Sequence, residues 1–187
     1  QLEMEEEMQF IVDNAKESMQ LALNHLEKEM LNIRAGKANP IMLSGVKVDY
    51  YGTPTPLSQV ANINSPDGRT LTVQPWEKSM LAEIEKAILI ANLGFNPMNN
   101  GESIIINIPT LTEERRKELA KLAKAEVENA KISIRTARKD ANTEIKKSDA
   151  SEDIQKNHEI DIQNLTDQYI KKADEIFRIK EKEILTV

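Results

Sequence analysis

The 187-residue sequence contains no cysteine and few aromatic residues, namely three Phe, three Tyr and one Trp. Without cysteine the chain cannot form disulfide bonds or thiolate metal sites, and it has no thiol nucleophile. Few aromatic residues combined with 30% charged residues favour long, solvated helices over a thick globular core. We therefore expect an intracellular, helix-rich protein.

Long hydrophobic runs are also missing. The longest apolar stretch, residues 87–93, is interrupted by Asn92 and is far shorter than the ~20 residues that span a bilayer. Residues 1–7 are acidic and lack the positively charged start of a secretion signal. These features predict a cytoplasmic protein that makes no membrane contact.

Patterns that assemble catalytic, metal or nucleotide sites are not found. His25 and His158 belong to no metal-ligand spacing, and Gly36 and Lys37 are not followed by the Ser or Thr of a phosphate-binding loop. Carboxylates are so abundant that a pair of them carries no signal. We predict no catalytic residue, metal or cofactor, and the alternative is an enzyme with an unrecognised carboxylate site.

Positive charge is concentrated in one segment. The net charge of −6 would repel nucleic acid if it were evenly spread. Residues 115–147, however, carry eleven basic and five acidic residues. This local excess predicts an RNA contact on one helix.

Three segments have the apolar periodicity of long helices. Residues 3–35 contain neither Pro nor Gly and repeat apolar residues every seven positions, and further helices should start near Thr112 and at the cap Ser151. The predicted buried positions of the second helix are Ala123, Val127, Ala130, Ile134, Ala137 and Ala141; those of the third are Ile162, Leu165, Tyr169, Ala173, Ile176 and Ile184. Such narrow apolar stripes are stable only when packed together, which favours a long antiparallel three-helix bundle. The alternative is a scaffold protein whose heptads form coiled coils between chains, whereas a bundle that closes on itself predicts a monomer.

Residues 36–109 differ from the helical segments, since they contain all six glycines and all seven prolines. Their apolar period falls to two, which predicts strands at 46–50, 57–63, 70–73 and 103–108, with one helix from about residue 81 to 92 that Gly94 ends. We therefore predict an α+β protein. A discontinuous bundle, residues 1–35 and 110–187, would carry an inserted α/β domain, residues 36–109, that is β-sandwich-like with one helix. The chain passes twice between these domains, and such short crossings can act as a hinge.

A row of basic residues follows the predicted seam of the second helix. Lys124, Lys131, Arg135 and Arg138 each come one position after a seam residue, so the row should face solvent and could follow an RNA backbone. Arg34, Arg115 and Arg116 should lie where the first helix ends and the second begins. The alternative for all these residues is a solvated surface whose charges pair with neighbouring carboxylates.

Several stretches, in order along the chain, resemble ribosome recycling factors. They are residues 33–38 (IRAGKA), 48–57 (VDYYGTPTPL), 67–71 (DGRTL), 85–88 (EKAI), 109–117 (PTLTEERRK) and 134–142 (IRTARKDAN). The resemblance covers the chain from about residue 10 to its end. It implies a three-helix bundle and an α/β domain joined by a hinge that includes Ala35, Gly36, Thr110 and Leu111.

The resemblance also implies partners and RNA-binding residues. It implies action on the post-termination ribosome, with the bundle on large-subunit ribosomal RNA and elongation factor G acting on the bound protein at the expense of GTP. Arg34, Arg135 and Arg138 match family arginines that contact ribosomal RNA, and Arg115 and Arg116 are further candidates.

Overall fold

A computed structural model describes residues 2–186, which form two compact units. One unit consists of the residues up to Ala35 together with those from Glu113 onward, and the other is Gly36–Thr112. No helix within residues 2–186 is both long enough and apolar enough to cross a membrane.

The first unit is a bundle of three long helices, α1 (Leu2–Asn32), α3 (Glu113–Lys147) and α4 (Glu152–Leu185). Met8 near the start of α1 packs in one cluster with Ile145 near the end of α3 and with Ile162 in α4. Further along, the hydroxyl of Tyr169 in α4 donates to Gln20 Oε1 in α1 at 3.1 Å. Helix α3 is therefore antiparallel to both α1 and α4, which confirms the predicted antiparallel bundle.

Alanines make up half of the buried residues of α3. All six predicted seam residues are buried, and Leu119 and Ile145 extend the seam toward the two ends of the helix. Small side chains allow the neighbouring helices to approach closely, because little volume separates the backbones. Consequently, the seam has little room for a larger side chain.

The seam of α1 differs in detail from the predicted heptads. Val12 and Ala22, which belong to the predicted seven-residue repeat, are only half-buried, whereas Ile11, Leu23 and Met30, which lie outside it, are buried. A helix that faces two neighbours buries a stripe wider than a single coiled-coil seam, so positions on both sides of the heptad become covered. Ile33 is buried although α1 ends one residue earlier.

Helix α4 begins at the predicted cap, since the Ser151 side chain accepts a hydrogen bond from the Ile154 amide at 3.4 Å. Two polar residues are buried beside its apolar seam. Thr166 donates to the Ile162 carbonyl oxygen at 2.7 Å, and the Lys180 ammonium lies 3.6 Å from Glu183. Both polar groups thus have local partners.

The second unit contains two antiparallel sheets and one helix. Strands β1 (Lys47–Tyr50) and β2 (Thr53–Pro56) form a hairpin, and β3 (Ala61–Asp67), β4 (Thr70–Pro75), β5 (Pro97–Asn99) and β6 (Ile104–Asn107) form a sheet in the order β3-β4-β6-β5. Helix α2 (Leu81–Ile90) packs on this core through Ile84 and Ile88. Single 3₁₀ turns occur at Pro40–Leu43, Leu57–Gln59 and Lys78–Met80. The predicted small α/β unit is confirmed.

Two strand predictions were wrong in this unit. Residues 57–63 do not form one strand, because Leu57–Gln59 is a 3₁₀ turn and the strand begins at Ala61. The proline-rich residues 53–56, which lie between the first two predicted strands and were not predicted to form one, form β2. A two-stranded hairpin leaves the outer edge of β2 without a partner, and an edge strand tolerates residues that have no amide hydrogen.

Gly36 lies against Leu111 within the second unit. Its φ of +73° is a left-handed conformation, and a Cβ added here would lie 2.6 Å from Leu111 Cγ. Both residues belong to the predicted hinge segments. The close approach and the backbone conformation each require glycine at this position.

Candidate nucleic-acid interface

The basic segment, residues 115–147, forms most of α3. The charged residues in the first and last turns of this helix have the signs that stabilise its ends. Glu113 and Glu114 lie in the first turn, and Lys146 and Lys147 lie in the last. This placement complements the helix dipole. Because the alanine seam faces the other two helices, the cationic side chains of α3 lie on its remaining faces.

A surface groove of about 550 Å³ lies along α3. We call it the basic groove, and its lining residues are Ile132, Arg135, Thr136, Arg138, Lys139, Asn142, Thr143 and Lys146. Four of these side chains are cationic and none is acidic. Arg138 and Lys139 follow Arg135 by three and four residues, and Lys146 follows Lys139 by seven, which places them along one face of the helix.

The polar groups of the basic groove suit a phosphate backbone. Arg135 is exposed, and Arg138 is half-buried and donates to Gln163 Oε1 of α4 at 3.4 Å. Asn142 Oδ1, which is buried and has no hydrogen-bond partner within residues 2–186, is an acceptor and does not contribute to phosphate binding. Guanidinium groups offer planar, paired donors to phosphate oxygens, while side chains on a helix surface read shape instead of base sequence.

Lys131 departs from the prediction that the row faces solvent. Its side chain is 15% exposed, and its ammonium pairs with Asp174 of α4 and lies 3.8 Å from Glu128. The position next to the seam brings this lysine under α4, so its charge is already balanced. Lys124 is exposed, but it precedes Arg135 by eleven residues, which is about 16 Å along a helix.

The arginines near the end of α1 and the start of α3 have varied surroundings. Arg34 is exposed, and Arg116 is half-buried. Arg115 donates to Glu118 Oε2 at 3.0 Å, which is the carboxylate pairing considered as the alternative to an RNA contact. RNA binding by these three residues stays a prediction.

The predicted row omitted part of the basic groove. Lys139, Lys146, Thr136 and Thr143 line the groove but were not among the predicted RNA-binding residues. A signal was present, because Lys139 and Lys146 are seven residues apart, as are Thr136 and Thr143. The prediction followed only positions next to the seam, such as Arg135 and Arg138, whereas the groove also includes positions farther around the helix.

Two tyrosines of the second unit share one carboxylate. The hydroxyls of Tyr50 and Tyr51 donate to the two oxygens of Glu77 at 2.8 and 2.9 Å. These hydrogen bonds raise the pKa of both phenols above their ordinary value of 10.0. Tyr51 also has a φ of +49° in the turn between β1 and β2. The shared carboxylate therefore anchors this hairpin turn, which agrees with a structural role for the tyrosine pair.

Comparison with known proteins identifies the family. A family model described as "Ribosome recycling factor" matches residues 26–185. The ribosome-recycling factor of Flavobacterium johnsoniae is 63% identical over 187 residues, covering 98% of this chain and 100% of that protein. The ribosome-recycling factor of Christiangramia forsetii is 59% identical over 182 residues, covering 97% and 100%.

Solved structures give the same result. The solution structure of a ribosome recycling factor matches with a TM-score of 0.74 and 34% identity, covering 97% of this chain and 98% of that one. A second match has a TM-score of 0.60 and 42% identity, covering 96% and 99%. It belongs to models of the T. thermophilus ribosome recycling factor and the E. coli elongation factor G bound to the E. coli post-termination complex. Sequence and fold thus agree along almost the whole chain, which belongs to the ribosome recycling factor family.

Proposed function

We propose that the chain binds the post-termination ribosome and, with elongation factor G and GTP, promotes its dissociation into subunits and its release from mRNA. The observation that carries this proposal is the 63% identity to a ribosome-recycling factor over 98% of the chain. Because the similarity covers both the bundle and the inserted unit, it supports a function that requires both units.

In this proposal the basic groove lies on large-subunit ribosomal RNA. Arg135, Arg138, Lys139 and Lys146 supply a continuous positive surface on a molecule whose net charge is −6. The acidic remainder disfavours other approaches of RNA, which restricts the orientation of binding. Arg34, Lys124 and Arg116 are further candidates, while the Asp174 pairing makes a contribution from Lys131 small.

GTP hydrolysis belongs to elongation factor G in this scheme, and the chain itself is not an enzyme. The absence of a phosphate-binding loop at Gly36 and Lys37 supports this division of roles. The site of action is the cytoplasm, where post-termination ribosomes arise.

Light scattering tests the function directly. Purified post-termination ribosomes are mixed with the chain, elongation factor G and GTP, and each component is omitted in turn. We expect scattering to fall only when all are present, because splitting a ribosome lowers its mass. Unchanged scattering with a compatible elongation factor G would contradict the proposal.

The double variant Arg135→Ala plus Arg138→Ala tests the basic groove. If both arginines contact phosphate, the slope of log affinity for ribosomes against log salt should become shallower by about two units. Lys131→Ala is the matched control, and its slope should match that of the unchanged chain because its ammonium already pairs with Asp174. An unchanged slope for the double variant would exclude this groove as the RNA contact.

A further inference from the structure

A second groove on the bundle has the opposite charge. It lies between α1 and α3, has a volume of about 440 Å³, and is lined in part by Glu7, Phe10, Ile11, Asp140, Ala141 and Glu144. We call it the acidic groove. It shares no lining residue with the basic groove.

The carboxylates of the acidic groove are not neutralised by the chain itself. Glu7, Asp140 and Glu144 are exposed, and none of them forms an ion pair within residues 2–186. No basic residue lines the groove. Asp140 and Glu144 are four residues apart and so occupy one face of α3. The groove consequently attracts cations and repels phosphate.

The floor of the acidic groove is apolar. Ile11, Ala15 and Ala141 are buried, and the small alanine side chains give the groove its depth. The ring of Phe10 lies at the groove with 64% of the residue exposed. An aromatic face attracts cationic groups, and exposed aromatic rings are typical of protein-binding surfaces.

Lysine and arginine combine the two properties that this groove complements. Their aliphatic stems can pack on Phe10 and Ile11 while their charged heads bond to the carboxylates. A volume of about 440 Å³ accommodates a few such side chains and not a folded domain. An extended basic segment of a protein therefore matches the groove in charge, polarity and size.

We propose that the acidic groove binds a lysine- and arginine-rich protein segment on the ribosome. The bundle then contacts RNA through one face of α3 and protein through the side that adjoins α1. This inference rests on the proposed function for the ribosome as the place of binding, and it adds a partner of a different class.

A site-specific crosslink tests the inference. The chain has no cysteine, so Ser18→Cys in the acidic groove and, separately, Thr143→Cys in the basic groove each provide a unique thiol for a benzophenone label. Labelled protein is bound to purified ribosomes and irradiated, and the adducts are digested with ribonuclease or protease and identified by mass spectrometry. We expect Ser18→Cys to crosslink to a basic protein segment and Thr143→Cys to crosslink to RNA.

Charge variants in the Ser18→Cys background separate a specific contact from general attraction. Asp140→Asn plus Glu144→Gln should lower the yield of the protein adduct about tenfold, as expected for two lost charge-assisted contacts. The control Glu27→Gln plus Asp161→Asn also removes two exposed carboxylates but lies outside the groove, and its yield should stay within about twofold.

Several outcomes would overturn the inference while leaving the proposed function intact. They are an RNA adduct from Ser18→Cys, an adduct with a segment not rich in lysine or arginine, equal losses in the two double variants, and no adduct although the protein sediments with ribosomes. If neither labelled protein sediments with ribosomes, the proposed function fails and the inference fails with it.

Discussion

Neighbouring residues in the basic segment differ in how much of their charge is available. Lys131 pairs with Asp174, whereas Arg135, one helical turn later, is exposed and lines the basic groove. Both residues follow a seam residue, so the difference arises from α4, which places Asp174 beside Lys131, whereas Arg135 forms no ion pair within residues 2–186. Sequence spacing predicted which face of α3 is basic, but it could not predict that Lys131 pairs with Asp174 of α4.

Gly36→Ala should destabilise the protein. Alanine would have to adopt the φ of +73°, and its Cβ would lie 2.6 Å from Leu111 Cγ. We expect a loss of about 1–3 kcal/mol in the free energy of unfolding, measured by urea denaturation. Gly45→Ala is the control, since no atom lies within 4 Å of the added Cβ and its φ is not positive.

Leu111→Ala in the Gly36→Ala background separates the two causes. The smaller side chain removes the steric conflict but not the backbone strain, so this double variant should recover the part of the loss that comes from the clash and keep the part that comes from the positive φ. Stability equal to that of the Gly45→Ala control in the single variant would contradict both causes.

Glu77→Gln should lower the pKa of Tyr50 and Tyr51 toward the ordinary value of 10.0. The charged acceptor that favours the protonated phenols is lost, which removes the main cause of the raised pKa. Ultraviolet titration of phenolate absorbance measures the change, with Glu83→Gln as the control. Identical titration curves for the two variants would rule out the shared carboxylate as the cause.

The direction of these pKa shifts also fixes a dependence of stability on pH. A phenol whose pKa is raised by folding contributes stability that is complete below its unfolded pKa. This contribution is lost as the pH rises through the folded value. Anchoring of the hairpin turn should therefore weaken as the pH rises above 10.0.

At the scale of elements, the long helices could be predicted because they follow from periodicity alone. The stripe in α3 is buried at every predicted position, and Ser151 caps α4 as expected. Less could be predicted for the strands, since β2 contains Pro54 and Pro56, and β5 is a segment of only three residues. Whether such a short or proline-containing segment forms a strand depends on its pairing within a sheet. A local sequence pattern does not reveal which strands will pair.

Ala123→Leu should weaken the bundle. Ala123 is fully buried in the seam of α3, so a larger side chain must displace a neighbouring helix. We expect a cost of about 1–3 kcal/mol in the free energy of unfolding, measured by urea denaturation. Ala125→Leu places the same side chain at an exposed position of α3 and should change stability by less than about 0.5 kcal/mol. Equal effects at the two positions would contradict close packing at this seam.

At the scale of the whole molecule, the chain should be a monomer in solution. The apolar seams of α1, α3 and α4 are buried against one another within one chain, which leaves no continuous heptad seam between residues 2 and 186 to pair with another copy. Sedimentation equilibrium at micromolar concentration measures the mass. A stable dimer or trimer would favour the alternative of a coiled-coil scaffold.

Motion at the hinge stays a prediction. Ala35, Gly36, Thr110 and Leu111 were assigned to it by resemblance and by the two crossings of the chain. The boundaries of the compact units fall after Ala35 and after Thr112, so Gly36, Thr110 and Leu111 belong to the second unit.

The order of helices along the chain has a consequence for biosynthesis. Helix α1 leaves the synthesising ribosome first, but its packing partners α3 and α4 begin only at Glu113 and Glu152. Synthesis adds about 5–20 residues per second, so several seconds pass between the completion of α1 and the start of α3. The unit Gly36–Thr112, which is continuous in sequence, can complete its core during that interval. We therefore expect the middle unit to fold before the bundle, and the apolar face of α1 to stay uncovered until α3 and α4 have been synthesised.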